Sequence, residues 1–287
     1  MMWLAALLLL AAPAYADSGM LLGGVANRRM PFDGFTVTRA CSPRRLLTSY
    51  TANKAYNIVR ASDSTTTDIG FTAAGLPDIA TPAAFCAATT CKLNTCYDQS
   101  PTADDYVQAT DANRFTFQQS AILSTWPAFQ ATGVAQIHET VSDVTPATGS
   151  GSFFTIANRS VGVGACNWVR GNGAANRIQG QGSTTNAWLI VGGTSGTRAV
   201  TANDAAWHTG AGIINSGVAS TSLIAADGVD SAVQTITGNT TAGKAGFGGV
   251  ASTTCNIFES VYLDNTVLTA GQRLYLSNGA RVALGNF

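Results

Sequence analysis

Leu223-Ile224-Ala225-Ala226-Asp227-Gly228-Val229-Asp230 sets four apolar residues before an Asp-Gly pair, and a second β-type run follows at 233–236. Asp-Gly tolerates the positive φ that both central positions of a two-residue turn require, so between such runs it is a strong hairpin signal. The same pattern extends outward in both directions. Short β-type runs stand at 153–157, 187–191, 213–214 and 257–263, split by Gly, Asn and Ser. The glycine-rich stretch 243–249 lacks the Lys and Ser order of a phosphate-binding loop and reads as tight turns. Regular turn punctuation of this kind favours a sandwich over alternating β and α units.

The N-terminal half adds more strands and a little helix. Residues 55–60 alternate as a strand should, 63–68 form a polar turn, and 91–97 read as a strand. The segment 41–50 is richer in helix formers, with Pro43 suited to a first turn, and 82–88 suits a short helix. Thr269 is placed to cap a late short helix through 272–276. No linker, low-complexity tract or internal repeat interrupts the chain. The expectation is an all-β sandwich with one or two short helices.

Residues 1–16 have the form of a signal peptide. An apolar run from Leu4 to Ala12 ends at Pro13, and Ala14-Tyr15-Ala16 supplies a small-x-small cleavage site. Such a run is too short to span a bilayer, and no later stretch is long and apolar enough to anchor the mature chain. The expectation is a single domain over 17–287, secreted to an extracellular or periplasmic space. Six cysteines suit that oxidising destination: Cys41, Cys86, Cys91, Cys96, Cys166 and Cys255. Zinc is the competing reading for Cys86, Cys91 and Cys96, but the chain has only His138 and His208 to complete a site, so disulfides are expected and no metal or cofactor. Charged residues make up 11% and the net charge is zero, which gives no basic patch for nucleic acid. A surface rich in Thr, Ser, Asn and Gln suits neutral partners such as a polysaccharide or surface glycan.

Several blocks resemble the catalytic domain of glycoside hydrolase family 54, the α-L-arabinofuranosidases. Arg45-Leu46-Leu47-Thr48-Ser49-Tyr50-Thr51 is similar to the family's Arg-Ala-Leu-Tyr-Ser-Ala-Tyr-Thr, and Val59-Arg60-Ala61-Ser62-Asp63 follows in order. Ala84-Phe85-Cys86-Ala87-Ala88-Thr89-Thr90-Cys91 is close to Ala-Phe-Cys-Ala-Gly-Thr-Thr-Cys, and Tyr97-Asp98-Gln99-Ser100 with Gln108-Ala109 completes the match. The resemblance implies a concanavalin A-like β-sandwich, a fold shared with non-enzymatic laminin-G-like modules. It also implies a Cys86–Cys91 disulfide. The other four cysteines are not paired by the sequence; Cys166 with Cys255 and Cys41 with Cys96 is the arrangement expected. The family's C-terminal arabinose-binding β-trefoil is expected to be absent, because the sequence reaches Phe287 directly after the sandwich.

The chemistry of a retaining glycosidase needs two carboxylates flanking the bond, about 5 Å apart. The family's nucleophile stands in Trp-Ile-Met-Ala-Asp-Leu-Glu-Asn-Gly, and its position falls on Thr194 in Trp188-Leu189-Ile190-Val191-Gly192-Gly193-Thr194-Ser195-Gly196. The general acid, from a Gly-Gly-Asp stretch, falls on Val250 in Gly248-Gly249-Val250. The family's Gly-Ala-Cys-Cys-Phe-Asp-Tyr-Gly-Asn becomes Gly164-Ala165-Cys166-Asn167-Trp168-Val169-Arg170-Gly171-Asn172, so the adjacent cysteine pair is lost. Neither Thr nor Val supplies a charge or a proton. The expectation is a non-catalytic domain that binds glycan or serves a surface or structural role; the alternative is an active arabinofuranosidase with relocated aspartates. Cys166, Asn167, Trp168 and Asn172 are the glycan-binding candidates, with Trp168 offering a flat face and Asn167 both donors and acceptors. Trp188, in an apolar run, suits core packing. Asp227 and Asp230 suit turn chemistry, Asp98 suits hydrogen bonds to a loop backbone, and His208 suits a structural role.

Overall fold

Asp227 and Gly228 turn the chain with φ of 50° and 81°, and Ala226 pairs with Val229 across them, as the Asp-Gly signal requires. The computed structural model describes residues 29–133, 135–159, 165–171, 176–181, 187–192, 197–201, 206–248 and 254–285. The signal-like segment 1–16 therefore lies outside the described residues.

Among those residues the strands are β1 (Arg39–Cys41), β2 (Tyr56–Arg60), β3 (Thr66–Ile69), β4 (Cys91–Cys96), β5 (Tyr106–Val107), β6 (Thr116–Ile122), β7 (Trp126–Ala131), β8 (Ile137–Val144) and β9 (Gly151–Arg159). They continue as β10 (Ala165–Arg170), β11 (Asn176–Gln181), β12 (Ala187–Gly192), β13 (Thr197–Thr201), β14 (His208–Ile214), β15 (Leu223–Ala226), β16 (Val229–Asp230), β17 (Gly243–Gly248) and β18 (Cys255–Asp264). The helices are α1 (Ala80–Phe85) and α2 (Ala270–Leu284).

Antiparallel pairing arranges these strands in two layers. The front layer runs β3-β2-β4-β5-β8-β17-β10-β11-β12-β13, and the back layer runs β16-β15-β14-β9-β18, with β1 and β7 sharing the far edge of β18. Strand β6 joins β4 to β7 and so links the layers. Between them Trp168, Trp188, Ile178 and Ile190 from the front meet Phe153, Ile257 and Tyr262 from the back. A second core lies on the outer face of the back layer. There Phe154, Phe258 and Val261 pack under Leu276, Ala280 and Leu284 of α2, with Phe32, Leu46 and Leu47 beside them. Adjacent Phe153 and Phe154 thus serve different cores, as period-2 alternation dictates for a strand buried on both faces.

Three disulfides pin the sandwich. Cys86 and Cys91 pair at a Cα separation of 5.9 Å, Cys41 and Cys96 at 5.8 Å, and Cys166 and Cys255 at 6.0 Å, the last tying the front layer to the back. These are the pairings expected from the sequence.

Three local expectations are corrected. Segment 41–50 is not helical: β1 ends at Cys41 and the chain then runs irregularly, held by Gln99, whose Oε1 accepts from the Leu46 amide. Stretch 243–249 is a strand as far as Gly248 rather than a set of turns, because a Cβ at Gly246 would lie 2.5 Å from the His138 carbonyl oxygen. Glycine there allows close backbone approach within a ladder. Helix α2 is longer than 272–276; Thr269 caps it with a full capping box, and Gly285 ends it in the left-handed conformation. Among the described residues no helix is long and apolar enough to cross a membrane.

Candidate functional site

Successive side chains of a strand face opposite sides of its sheet, and a bulge shifts that phase. In β10, Cys166 and Trp168 enter the core between the layers. The register with β11 then shifts between Asn167 and Val169, so Val169, opposite Ile178, also turns inward. Asn167 and Arg170 are left for the face away from the core.

On that face the register carries one row across six strands. Val107 of β5 stands opposite Glu139 of β8, Glu139 opposite Gly246 of β17, and Gly246 opposite Arg170 of β10. Arg170 stands opposite Arg177 of β11, and Arg177 opposite Val191 of β12. Glu139 reaches over the bare Gly246 to place Oε1 3.0 Å from Arg170 Nη1. A side chain on Gly246 would meet Glu139 Cγ at 3.1 Å. Like charges directly opposite one another weaken a sheet, so the Arg170–Arg177 pairing costs stability that packing elsewhere must offset. Burial pulls the Arg170 guanidinium below its usual value, and the Glu139 carboxylate opposes that shift. Burial also lowers Arg177, and the charge of Arg170 adds to the effect. The row gathers one carboxylate and two guanidiniums, with Arg170 itself buried and paired to Glu139; groups of this kind recognise hydroxyls and anions.

The sequence candidates divide sharply. Asn167 remains on the outer face, half-buried. Trp168 does not: it has no exposed surface and packs against Trp188 with ring centroids 4.0 Å apart. With Trp168 wholly inside the sandwich and Asn167 on the other side of the sheet, the two cannot both meet a ligand, and Trp168 does not stack on a sugar. Cys166 is buried in its disulfide with Cys255. Asn172, Thr194 and Val250 lie outside the described residues. Their flanks are informative. Gly192 pairs with Asn176, one residue before Arg177, whereas Gly248 lies two residues past Gly246 in the other direction along the ladder. The chain thus leaves the ladder at opposite ends on its way to Thr194 and to Val250.

Glu259, Asp98, Asp227, Asp230 and His208 have structural partners. Arg44 holds Glu259 through Nε and Nη2, at 2.7 and 3.0 Å, and the Ser42 hydroxyl donates to it at 3.1 Å. Asp98 accepts from the backbone amides of Ala40, Ser100 and Asp104; burial raises its carboxyl, and those bonds oppose the rise. Asp227 accepts from the Thr209 amide and meets His208 Nδ1 at 2.6 Å; burial raises its carboxyl, but these bonds outweigh burial and the net shift is downward. Asp230 pairs with Arg273 of α2. Among the described residues no cluster of three or more His, Cys, Asp or Glu could hold a metal ion.

Arg170, Arg177 and Gly246 escaped the sequence reading. Their juxtaposition depends on pairings between segments far apart in sequence and on a bulge, neither of which alternation reveals.

Residues 35–132 match the family model described as alpha-L-arabinofuranosidase B, catalytic. The chain resembles an arabinofuranosidase catalytic domain. A protein of Aspergillus flavus named "probable alpha-L-arabinofuranosidase B" is 40% identical over 77 residues, covering 26% of this chain and 15% of that protein. A solved α-L-arabinofuranosidase of glycoside hydrolase family 54, soaked with a cyclic sulfate inhibitor, superposes with a TM-score of 0.66 at 18% identity over 86% of this chain. An arabinofuranosidase in complex with arabinofuranosyl-α-1,2-xylobiose superposes with a TM-score of 0.60, also at 18% identity. The fold is therefore that of the arabinofuranosidase sandwich. This chain spans 63% of the length of those solved arabinofuranosidases. The family match contains Cys41, Cys86, Cys91 and Cys96 but ends before Glu139, Arg170 and Arg177.

Proposed function

We propose that this chain is a secreted, disulfide-bonded arabinofuranosidase-like domain that does not cleave glycosides and acts instead as a glycan-binding or surface module. One observation carries the reading. The sequence has two glutamates, and each is held by an arginine: Glu259 by Arg44 in a site with no solvent exposure, and Glu139 by Arg170. A nucleophile must reach the sugar, and Glu259 cannot. Thr194 and Val250, at the positions the resemblance gives to nucleophile and acid, offer no substitute. The family-model match covers residues 35–132, which hold two of the three disulfides, and this speaks for the framework more than for the chemistry. The face bearing Asn167, Arg170, Glu139 and Arg177 is the surface assigned to ligand. Three disulfides and the 1–16 segment support export.

The test is hydrolysis of 4-nitrophenyl α-L-arabinofuranoside by the purified chain, together with binding to plant and microbial polysaccharides. The expected result is no turnover above background, with retention on at least one polysaccharide. Robust turnover that disappears on changing one aspartate to Asn would establish the alternative, an active arabinofuranosidase.

A further inference from the structure

Away from the front layer, α2 and the loops around 29–31, 44–45 and 74–76 enclose a groove of about 250 Å³. Its lining includes three arginines, Arg29, Arg44 and Arg45, and no aspartate or glutamate. In a chain of zero net charge that is an uneven distribution. Arg44 is already satisfied by Glu259. Arg45 has no carboxylate partner among the described residues. Its Nη2 reaches only the Asn53 side-chain oxygen, at a long 3.4 Å, and its buried Nε meets no acceptor there. Its guanidinium lies 5.4 Å from the centre of the Phe71 ring, which fixes its position without using its donors. Arg29 acts through space on Asp33, but that carboxylate is taken up by the Thr48 hydroxyl and amide and by the Met30 amide. Among the described residues, the guanidinium donors of Arg29 and Arg45 are thus left over at one groove.

Helix α2 contributes an aromatic ring to the same groove. Tyr275 is 54% exposed and lines the groove, one turn of α2 before Gly279. A Cβ built on Gly279 would meet nothing within 4 Å, so the space in front of this helix face is open. Met30, Pro31, Leu76 and Leu276 add apolar lining.

We propose that this groove binds a uronic acid residue of an acidic glycan. The carboxylate would sit on Arg45 and Arg29, and the C–H face of the sugar ring would lie against Tyr275. A forked guanidinium matches a carboxylate, and an exposed aromatic supplies the flat apolar surface that a ring fills and an acidic peptide side chain does not. The volume falls below the roughly 300–1,000 Å³ of drug-sized sites, which limits it to about one ring rather than a long chain segment. The inference stands on the groove alone and does not depend on the function of the front-layer face.

Calorimetric titration of the purified, disulfide-bonded chain with trigalacturonic acid tests it, with the trimer's methyl ester and a tetraglutamate peptide as parallel probes. The acid trimer is expected to bind and the ester not to. Replacing both Arg29 and Arg45 by Gln removes charge-assisted hydrogen bonds and should weaken binding about tenfold or more. Tyr275→Ala should weaken it several-fold. Gly279→Leu, which fills open space, should abolish it without lowering the melting temperature. The proposal is overturned by any of four results: no binding of the acid trimer at millimolar concentration, equal binding of the ester, binding of the peptide alone, or binding unchanged in Tyr275→Ala and Gly279→Leu.

Discussion

Arg44 grips Glu259 with two hydrogen bonds, Nε to Oε2 at 2.7 Å and Nη2 to Oε1 at 3.0 Å, where Glu259 meets no solvent and Arg44 almost none. The pair bridges 215 residues of sequence and joins the loop after β1 to the centre of β18. Breaking one side of a buried pair leaves the other charge without compensation. Glu259→Ala should therefore lower unfolding free energy by about 3–5 kcal/mol, and Arg44→Ala by a similar amount. Chemical denaturation of the single variants and of an Arg44→Met, Glu259→Leu double variant measures this. The double variant should recover part of the loss, because a well-packed apolar pair replaces a desolvated ionic one.

His138 gives the fold a definite response to acid. Its ring packs against Phe115 and Phe247, its Nε2 meets the Leu93 carbonyl oxygen at 3.1 Å, and burial pushes its pKa down from 6.5 to about 3, with the Arg114 charge adding to the effect. At pH 7 the imidazole is neutral in both folded and unfolded chains. Below pH 6.5 the unfolded chain takes up a proton that the folded chain refuses until about pH 3. Stability should thus fall as pH drops, with this residue contributing about 1.4 kcal/mol per pH unit in that window. His138→Leu should be less stable than wild type at pH 7, since the Leu93 carbonyl loses its donor, yet lose less between pH 6 and pH 4. Denaturant titrations at those pH values give the comparison.

Two glycines should respond oppositely to the same change. A Cβ on Gly210 would run into the Trp188 ring and lie 3.2 Å from Thr155 Cγ2, with both side chains buried in the core. Gly210→Ala should cost about 1–3 kcal/mol through overpacking. Gly279 sits inside α2 with open space in front of it, so Gly279→Ala should add about 0.5–1 kcal/mol by removing a helix-weakening residue. Melting curves of the two variants should move to opposite sides of wild type.

What the sequence revealed follows from how local each signal is. Asp227-Gly228 and the Thr269 cap act within a few residues; the turn formed, and Thr269 caps α2, although the helix runs further than its start signalled. The Cys86–Cys91 pair lies five residues apart, within the stretch that matches the family model. Segment 41–50 defeated a propensity argument because its apolar residues Leu46 and Leu47 gain more by entering the second core than a short helix could return. Strand β17 was concealed by its own glycines, which serve backbone contact with β8 rather than turning. The Glu139–Arg170–Arg177 row was invisible for a different reason: it exists only once β8, β17, β10 and β11 are paired in register.

The bulge in β10 decides how the front-layer face should be tested. Trp168 and Val169 both point into the core, so Trp168→Ala removes a fully buried side chain. It should cost about 3–5 kcal/mol and reduce glycan retention only by reducing the folded fraction. Asn167→Ala and Arg170→Gln act on the outer face and should weaken polysaccharide retention directly. Arg170→Gln also frees Glu139 from its ion pair, whereas Glu139→Gln removes the same ion pair and keeps both arginines. If the face binds through its guanidiniums, Arg170→Gln should lose retention about tenfold or more while Glu139→Gln keeps it. Affinity electrophoresis of the four variants, each checked by thermal melting, separates these outcomes. Equal retention by wild type, Asn167→Ala and Arg170→Gln would remove this face from any role in binding.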